Sequence, residues 1–329
     1  MKNYGRSAVS EFLDDRIVFR NLIPADPRLP SLDALRGEAG LPDDLTPRKN
    51  DPEYAWVVAG LLRRARWMDS PGTAIRRLVY LGDTRLSDGS AFTNLCQAGG
   101  WCGAVFICSE AAKSPASLET VAVASGQALF LANRWSMLSD LDRELAAQGC
   151  AVDEATAVVI DLDKTAIGAR GRNAAVIDQA RVEAVRETVA ELLGAAFDLG
   201  SFQAAYDQLN QVEFHPFTAD NQDYLAYICL ILGSGLHDLP EVIESVRGGK
   251  LASFAQFIAG VDARRSMLPP GLQAIHEEIY ARVQEGDPTP FKAFRRNEYQ
   301  ATIGRMGRMG DDTPVDTLLA YEIVITQEV

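Results

Sequence analysis

The chain has 329 residues, 47% of them hydrophobic, which is enough material for one large domain or two ordinary ones with buried cores. Its 32 basic and 45 acidic residues leave a net charge of −13, which repels polyanions and argues against nucleic-acid binding; a small phosphorylated substrate stays admissible, because nearby Lys and Arg outweigh a diffuse field. No apolar run approaches the roughly 18 residues needed to cross a bilayer, and no signal-like segment follows Met1-Lys2-Asn3, so no membrane role is expected and the expected location is cytoplasmic.

Residues 1 to about 47 are rich in Pro, Asp and Leu, with one short apolar run, Arg16-Ile17-Val18-Phe19-Arg20, as a candidate edge strand. Lys49-Asn50-Asp51-Pro52-Glu53 then opens a helix: Asn50 or Asp51 can cap, and Pro52 suits the first turn. Tyr54, Val57, Val58, Leu61, Leu62 and Ala65 recur along one face of it. Pro71-Gly72 is a turn before the strand Leu78-Val79-Tyr80-Leu81, which runs into Gly82-Asp83. A helix from about Ser90, the Gly99-Gly100 break and the strand Ala104–Cys108 continue an alternating α/β pattern. Helical patterns are expected at about 117–133 and 136–148, the second with Leu138, Leu141 and Leu145 on a stripe.

The most informative segment comes next. In Ala157-Val158-Val159-Ile160-Asp161-Leu162-Asp163-Lys164-Thr165, four apolar residues deliver two carboxylates to the end of a buried strand. Alternate residues of an extended strand point the same way, so Asp161 and Asp163 are expected to approach one substrate together. In open α/β sheets ligands sit beyond the carboxyl ends of the strands. Ala166–Asn173, with Gly168, Arg170, Gly171 and Arg172, is a candidate hinge and phosphate-proximal loop or else a plain solvated one. From about 174 to 316 the pattern turns helical, with stripes such as Val182, Val185, Val189, Leu192 and Leu193. Lys292, Arg295 and Arg296 form a basic cluster there. The chain finishes with Glu322-Ile323-Val324-Ile325-Thr326, read as another apolar strand ending in a hydroxyl. Cys96, Cys102, Cys108, Cys150 and Cys229 lack paired CxxC spacing and read as buried thiols; His215, His237 and His276 show no metal-ligand spacing.

The DxDxT segment resembles the first motif of the haloacid dehalogenase-like (HAD) phosphohydrolases. Lys49 followed by the strand and turn Gly82-Asp83-Thr84-Arg85-Leu86-Ser87-Asp88 resembles the third and fourth motifs, and the terminal strand resembles the second. The resemblance implies an α/β fold: a doubly wound, parallel, Rossmannoid sheet with an inserted helical cap. The core is then residues 1–173 with strand 318–329, and the cap 174–317. It further implies a Mg²⁺-dependent phosphatase acting on a small phosphate monoester. Asp161 is the nucleophile, Asp163 the general acid and base, and Thr326 and Lys49 hold phosphoryl oxygens. Asp83 and Asp88, together with Asp161 and Asp163, are the expected metal set. Lys164 departs from the pattern, since many members carry glycine there.

The motifs run third, fourth, first, cap, second, rather than first, cap, second, third, fourth. Circular permutation explains the order; so does a chain cut after Thr326, in which case Lys49 is a look-alike. A phosphomutase, a dehalogenase, and a non-catalytic protein that uses the helical domain for binding are the alternatives. Asp163 and the acidic turn favour phosphatase over dehalogenase, because a dehalogenase needs neither a second acid nor a metal.

Overall fold

The computed structural model of the protein describes residues 2–13, 16–42, 46–124, 126–147 and 151–329. The chain falls into two units, Met1–Asp178 with Arg305–Val329, and Gln179–Gly304. In the first unit the elements run α1 (Val9–Leu13), α2 (Leu32–Ala39), α3 (Pro52–Asp69), β1 (Arg77–Gly82), α4 (Ser87–Gly99), β2 (Cys102–Cys108), β3 (Leu118–Ala124), β4 (Gln127–Ala132), α5 (Leu138–Ala147) and β5 (Thr156–Ile160). Helix α6 (Ala174–Leu193) begins in this unit. The second unit is helical: the rest of α6, then α7 (Leu199–Leu209), α8 (His215–Thr218), α9 (Gln222–Gly233), α10 (Leu239–Arg247), α11 (Phe254–Asp262), α12 (Pro270–Gln284) and α13 (Lys292–Ile303). The last helix, α14 (Val315–Tyr321), belongs to the first unit again. No helix of the described residues is long and apolar enough to cross a membrane.

Among the described residues the sheet has five strands in the order β3-β4-β2-β1-β5. All neighbours are parallel except the β3/β4 pair. The strands are apolar on both sides, as a sheet covered on two faces requires. Leu78, Tyr80, Val105, Ile107, Leu129 and Ala157 pack on one face with residues of α2, α3 and α4. Val79, Leu81, Ala104, Phe106, Cys108 and Phe130 pack on the other with Trp135, Leu141 and Leu145. This α/β architecture, a mostly parallel sheet flanked by helices, is compatible with a Rossmann-like fold.

Helix α3 forms where the sequence places it, with Pro52 at its first turn and Val57, Val58 and Leu61 buried. The helix expected at 117–133 is instead the β3/β4 pair. Leu118–Ala124 carries the β-branched residues Thr120, Val121 and Val123 and pairs antiparallel with Gln127–Ala132, and Gly126, at φ +75°, turns the chain back. The candidate strand Arg16–Arg20 does not join the sheet; Val18 makes one bridge to Pro24 within its own loop.

The terminal segment is not a sheet strand either. Residues 315–321 are helical, and beyond them Ile325 makes a single antiparallel bridge to Ile167. Its backbone groups are spent on the loop that follows β5: Gly168 N–H donates to the Val324 carbonyl at 2.8 Å and Thr326 N–H to the Ala166 carbonyl at 2.8 Å. Asn173, buried, fixes the geometry, since its Nδ2 donates to the Leu319 and Glu322 carbonyls and its Oδ1 accepts from Val324 N–H. Residues 305–317, expected in the helical domain, therefore belong to the sheet unit.

The helical unit has its own core, built on Tyr227, Phe217, Phe257, Ile258 and Phe294. Cys96, Cys108 and Cys229 are buried as expected and Cys102 is exposed, at the start of β2; Cys150 lies outside the described residues.

Candidate active site at the carboxyl end of the sheet

Strands β1 and β5 are parallel neighbours, so their carboxyl ends meet although about 80 residues separate them in sequence. Asp161 N–H donates to the Leu81 carbonyl at 2.9 Å, which holds Asp161 as the first residue past β5, beside Gly82-Asp83 at the end of β1. Helix α3 begins just after Lys49, and its ammonium reaches both strand ends. Lys49 Nζ pairs with Asp161 Oδ1 at 2.5 Å and with Asp88, and stands 5.6 Å from the centroid of the Tyr80 ring. Asp83, Asp88 and Asp161 each offer a carboxylate oxygen, and these three lie within 4.8 Å of one another.

The three carboxylates differ in what they have left to give. Asp88 is fully buried and saturated: its Oδ2 accepts from Asp83 N–H at 2.9 Å, Thr84 N–H at 2.8 Å and Thr84 Oγ1 at 3.0 Å, and its Oδ1 accepts from Lys49 and, at 3.4 Å, from Tyr80. It folds the turn after β1. The glycine before that turn is required, since a Cβ on Gly82 would stand 2.5 Å from the Asp88 side chain. Asp83 is nearly buried and pairs with the guanidinium Nε of Arg170. Asp161 keeps the greater freedom, with Thr165 Oγ1 at 3.4 Å from its Oδ2.

Electrostatics follow from this packing. Burial pushes the Asp161 carboxyl up to about 6, against the pull of Lys49 and with the repulsion of Asp88 and Asp83. Burial also raises Asp83, opposed by Arg170. For Asp88 burial is outweighed, and Lys49 with the Thr84 and Asp83 N–H groups holds it below the usual range. Burial disfavours the Lys49 ammonium, but Tyr80, Asp161 and Asp88 overcome it and raise that group above an ordinary lysine. Lys49 is thus a fixed positive charge.

Two expected site residues are placed apart from the clustered acids. Strand β5 ends at Ile160, residues 162 and 164–166 are turns, and Asp163 makes an isolated bridge to Ile167, so the regular alternation expected to aim Asp163 beside Asp161 stops before it. Asp163 is exposed and is not one of the three clustered acids. Thr326 is buried, and its hydroxyl donates to the Thr165 carbonyl; it ties the terminal segment to the loop rather than facing solvent. Lys164 has φ +63°, the left-handed region that glycine enters freely, and its ammonium pairs with Asp178 at 2.7 Å.

The segment Ala166–Asn173 is a largely buried, hydrogen-bonded loop rather than a plain solvated one. Arg170 N–H donates to the Lys164 carbonyl at 2.8 Å, and the Arg170 carbonyl accepts from Glu110 N–H at 3.0 Å and Trp135 Nε1 at 3.2 Å. Arg172 pairs with Glu110 at 2.6 Å and Glu328 at 2.9 Å. A Cβ on Gly171 would stand 2.0 Å from the Glu110 carbonyl oxygen, so only glycine allows the loop to lie this close to the end of β2. Arg170 was legible in the sequence only as one of two arginines in a loop; nothing there pointed to its partner Asp83. In the helical unit two members of the basic cluster are paired internally, Lys292 with Asp287 and Arg295 with Asp223 and Glu298, while Arg296 is exposed.

Compared with protein-family models, curated proteins and solved structures, the chain matches none.

Proposed function

We propose that the protein is a Mg²⁺-dependent phosphohydrolase of HAD type, cleaving a small phosphate monoester through an aspartyl-phosphate on Asp161. The observation that carries this reading is Lys49 bridging Asp161 and Asp88 across the carboxyl ends of two adjacent parallel strands, with Asp83 alongside. A permuted order of motifs needs the Asp161 strand to lie next to the Gly82-Asp83 strand, and β5 pairs with β1. The left-handed backbone at Lys164 also accounts for the glycine that many HAD members carry at that position.

The donor set fits a hard divalent cation, because every candidate ligand atom is a carboxylate oxygen. Asp161 and Asp83 are the residues to hold Mg²⁺, with Asp88 positioning Lys49 and the turn, since its own oxygens are already engaged. When bound, Mg²⁺ supplies charge neutralisation at the phosphoryl oxygens. Asp161 attacks phosphorus in line with the leaving alcohol, and Lys49 keeps Asp161 oriented and balances charge on the phosphoryl group. Asp163, exposed two residues further on, is the group to protonate the leaving oxygen and then to take a proton from the attacking water. The helical unit is the inserted cap in this reading, and substrate choice lies with it.

The test is turnover of a generic aryl phosphate by the 329-residue chain with and without Mg²⁺, beside Asp161→Asn. Metal-dependent hydrolysis abolished in a folded variant is the expected result. Hydrolysis that survives the substitution, or none from the folded wild type across a panel of phosphorylated metabolites, refutes the reading.

A further inference from the structure

We propose, resting on the phosphohydrolase reading, that Arg170 is the exchangeable counter-ion of this site. It neutralises Asp83 in the resting protein and gives up that carboxylate when a divalent cation is held, so that its guanidinium becomes the group that receives the substrate phosphate.

The site contains two cations of different character. Lys49 is committed to two carboxylates and a tyrosine ring, with its side chain 25% exposed, and cannot leave without stranding the fully buried Asp88. Among the described residues Arg170 has a single carboxylate partner, Asp83, and its side chain is 37% exposed against 7% for Asp83. The backbone of Arg170 is pinned by hydrogen bonds to Lys164, Glu110 and Trp135, so the residue is held at the site while the guanidinium end is free to reorient. Its contact to Asp83 uses Nε alone. The terminal nitrogens make no hydrogen bond to a described residue, and two parallel N–H groups on a planar fork match a phosphate bidentately.

Charge arithmetic supplies the coupling. Three carboxylates face two cations, and a divalent ion added to Asp83 and Asp161 replaces Arg170 as the balancing charge on Asp83. The displaced guanidinium lies next to the position where the proposed nucleophile must meet an anionic phosphoryl group. Metal and phosphate binding are then linked through one side chain, and the linkage has a definite sign: Arg170 competes with the metal and assists the anion.

Calorimetric titration of MgCl₂ into the full chain, comparing wild type with Arg170→Gln and Arg170→Lys, tests this. Arg170→Gln is expected to bind Mg²⁺ about fivefold more tightly, the scale of one partly exposed ion pair. At saturating Mg²⁺ it is expected to bind inorganic phosphate at least about tenfold more weakly, as loss of a charged hydrogen-bonding fork implies. Arg170→Lys, which keeps the charge, is expected to leave Mg²⁺ affinity near wild type, and it serves if the glutamine variant misfolds. A residue that merely supports the loop gives the opposite sign, so equal or weaker Mg²⁺ binding in folded Arg170→Gln overturns the inference while leaving the phosphohydrolase reading intact. Absence of Mg²⁺ binding in both wild type and Arg170→Gln, together with no metal-dependent turnover, removes that reading and this inference with it.

Discussion

Each unit of this protein buries an aspartate completely, and the two are used in opposite ways. In the helical unit Asp223, at the start of α9, accepts from Phe291 N–H at 3.0 Å and pairs with Arg295, which also pairs with Glu298, itself 3.2 Å from Arg181. Each acid there has an arginine, and the cluster ties α9, α13 and α6 together. At the sheet end, Asp88 is equally buried, but among the described residues it sits with Asp83 and Asp161 against two cations, Lys49 and Arg170. Paired buried charge serves architecture, whereas an excess of carboxylate kept at a strand end is a cost to the fold that a functional site repays.

The comparison is sharpest if one residue is removed from each cluster. Lys49→Met strands Asp88 and Asp161 in a buried site and is expected to abolish phosphatase turnover by at least about a thousandfold while also lowering stability. Arg295→Met in the helical unit is expected to cost about 3 to 5 kcal/mol, because Asp223 stays buried without its cation. Turnover against an aryl phosphate and urea unfolding measure the two; a negligible stability loss in Arg295→Met breaks the architectural half of the contrast.

The sign of a third change distinguishes the clusters more directly. Asp161 has its carboxyl raised from 3.8 to about 6, chiefly by burial. A carboxyl with a raised folded-state pKa binds its proton more tightly when folded, so its contribution to stability falls as pH rises from about 4 to about 6 and stays unfavourable above that. With metal chelated, Asp161→Asn is therefore expected to be more stable than wild type at neutral pH by about 1 kcal/mol, and this advantage is expected to vanish near pH 4. Asp223→Asn is expected to destabilise at both pH values. Thermal denaturation of the two variants at pH 4 and pH 7 decides it, and destabilisation by Asp161→Asn at neutral pH contradicts the excess-charge argument.

What the sequence revealed follows the same division between local and long-range causes. The run Ala157–Ile160 before Asp161, and the helix start at Pro52, are local patterns, and both elements form where expected. Segment 118–132 was misread because short apolar stretches satisfy a helical and an extended period alike; Gly126, at φ +75°, was the signal for a turn. Lys49, Asp88 and Asp161 could be found through motif spacing, although nothing in composition or periodicity predicts that β1 and β5 pair. Arg170 and Asn173 act through partners 87 and about 150 residues away, and pairings at that range are written in the fold rather than in any local pattern.

The smallest expected effect separates two roles for one hydroxyl. If Thr326 holds phosphoryl oxygens, Thr326→Val removes a charge-stabilising donor, and such losses reach about a hundredfold or more in turnover. The hydroxyl instead donates to the Thr165 carbonyl in a buried contact, beside the Thr326 N–H bond to Ala166. Valine keeps the shape and the backbone bond but leaves the Thr165 carbonyl without that donor, a loss of about 1 to 2 kcal/mol. Stability falling by that amount with turnover within about tenfold of wild type assigns Thr326 to holding the loop after β5 in place. That loop carries Arg170, so the indirect consequence to look for in the same variant is a small rise in KM for the phosphate ester with little change in kcat.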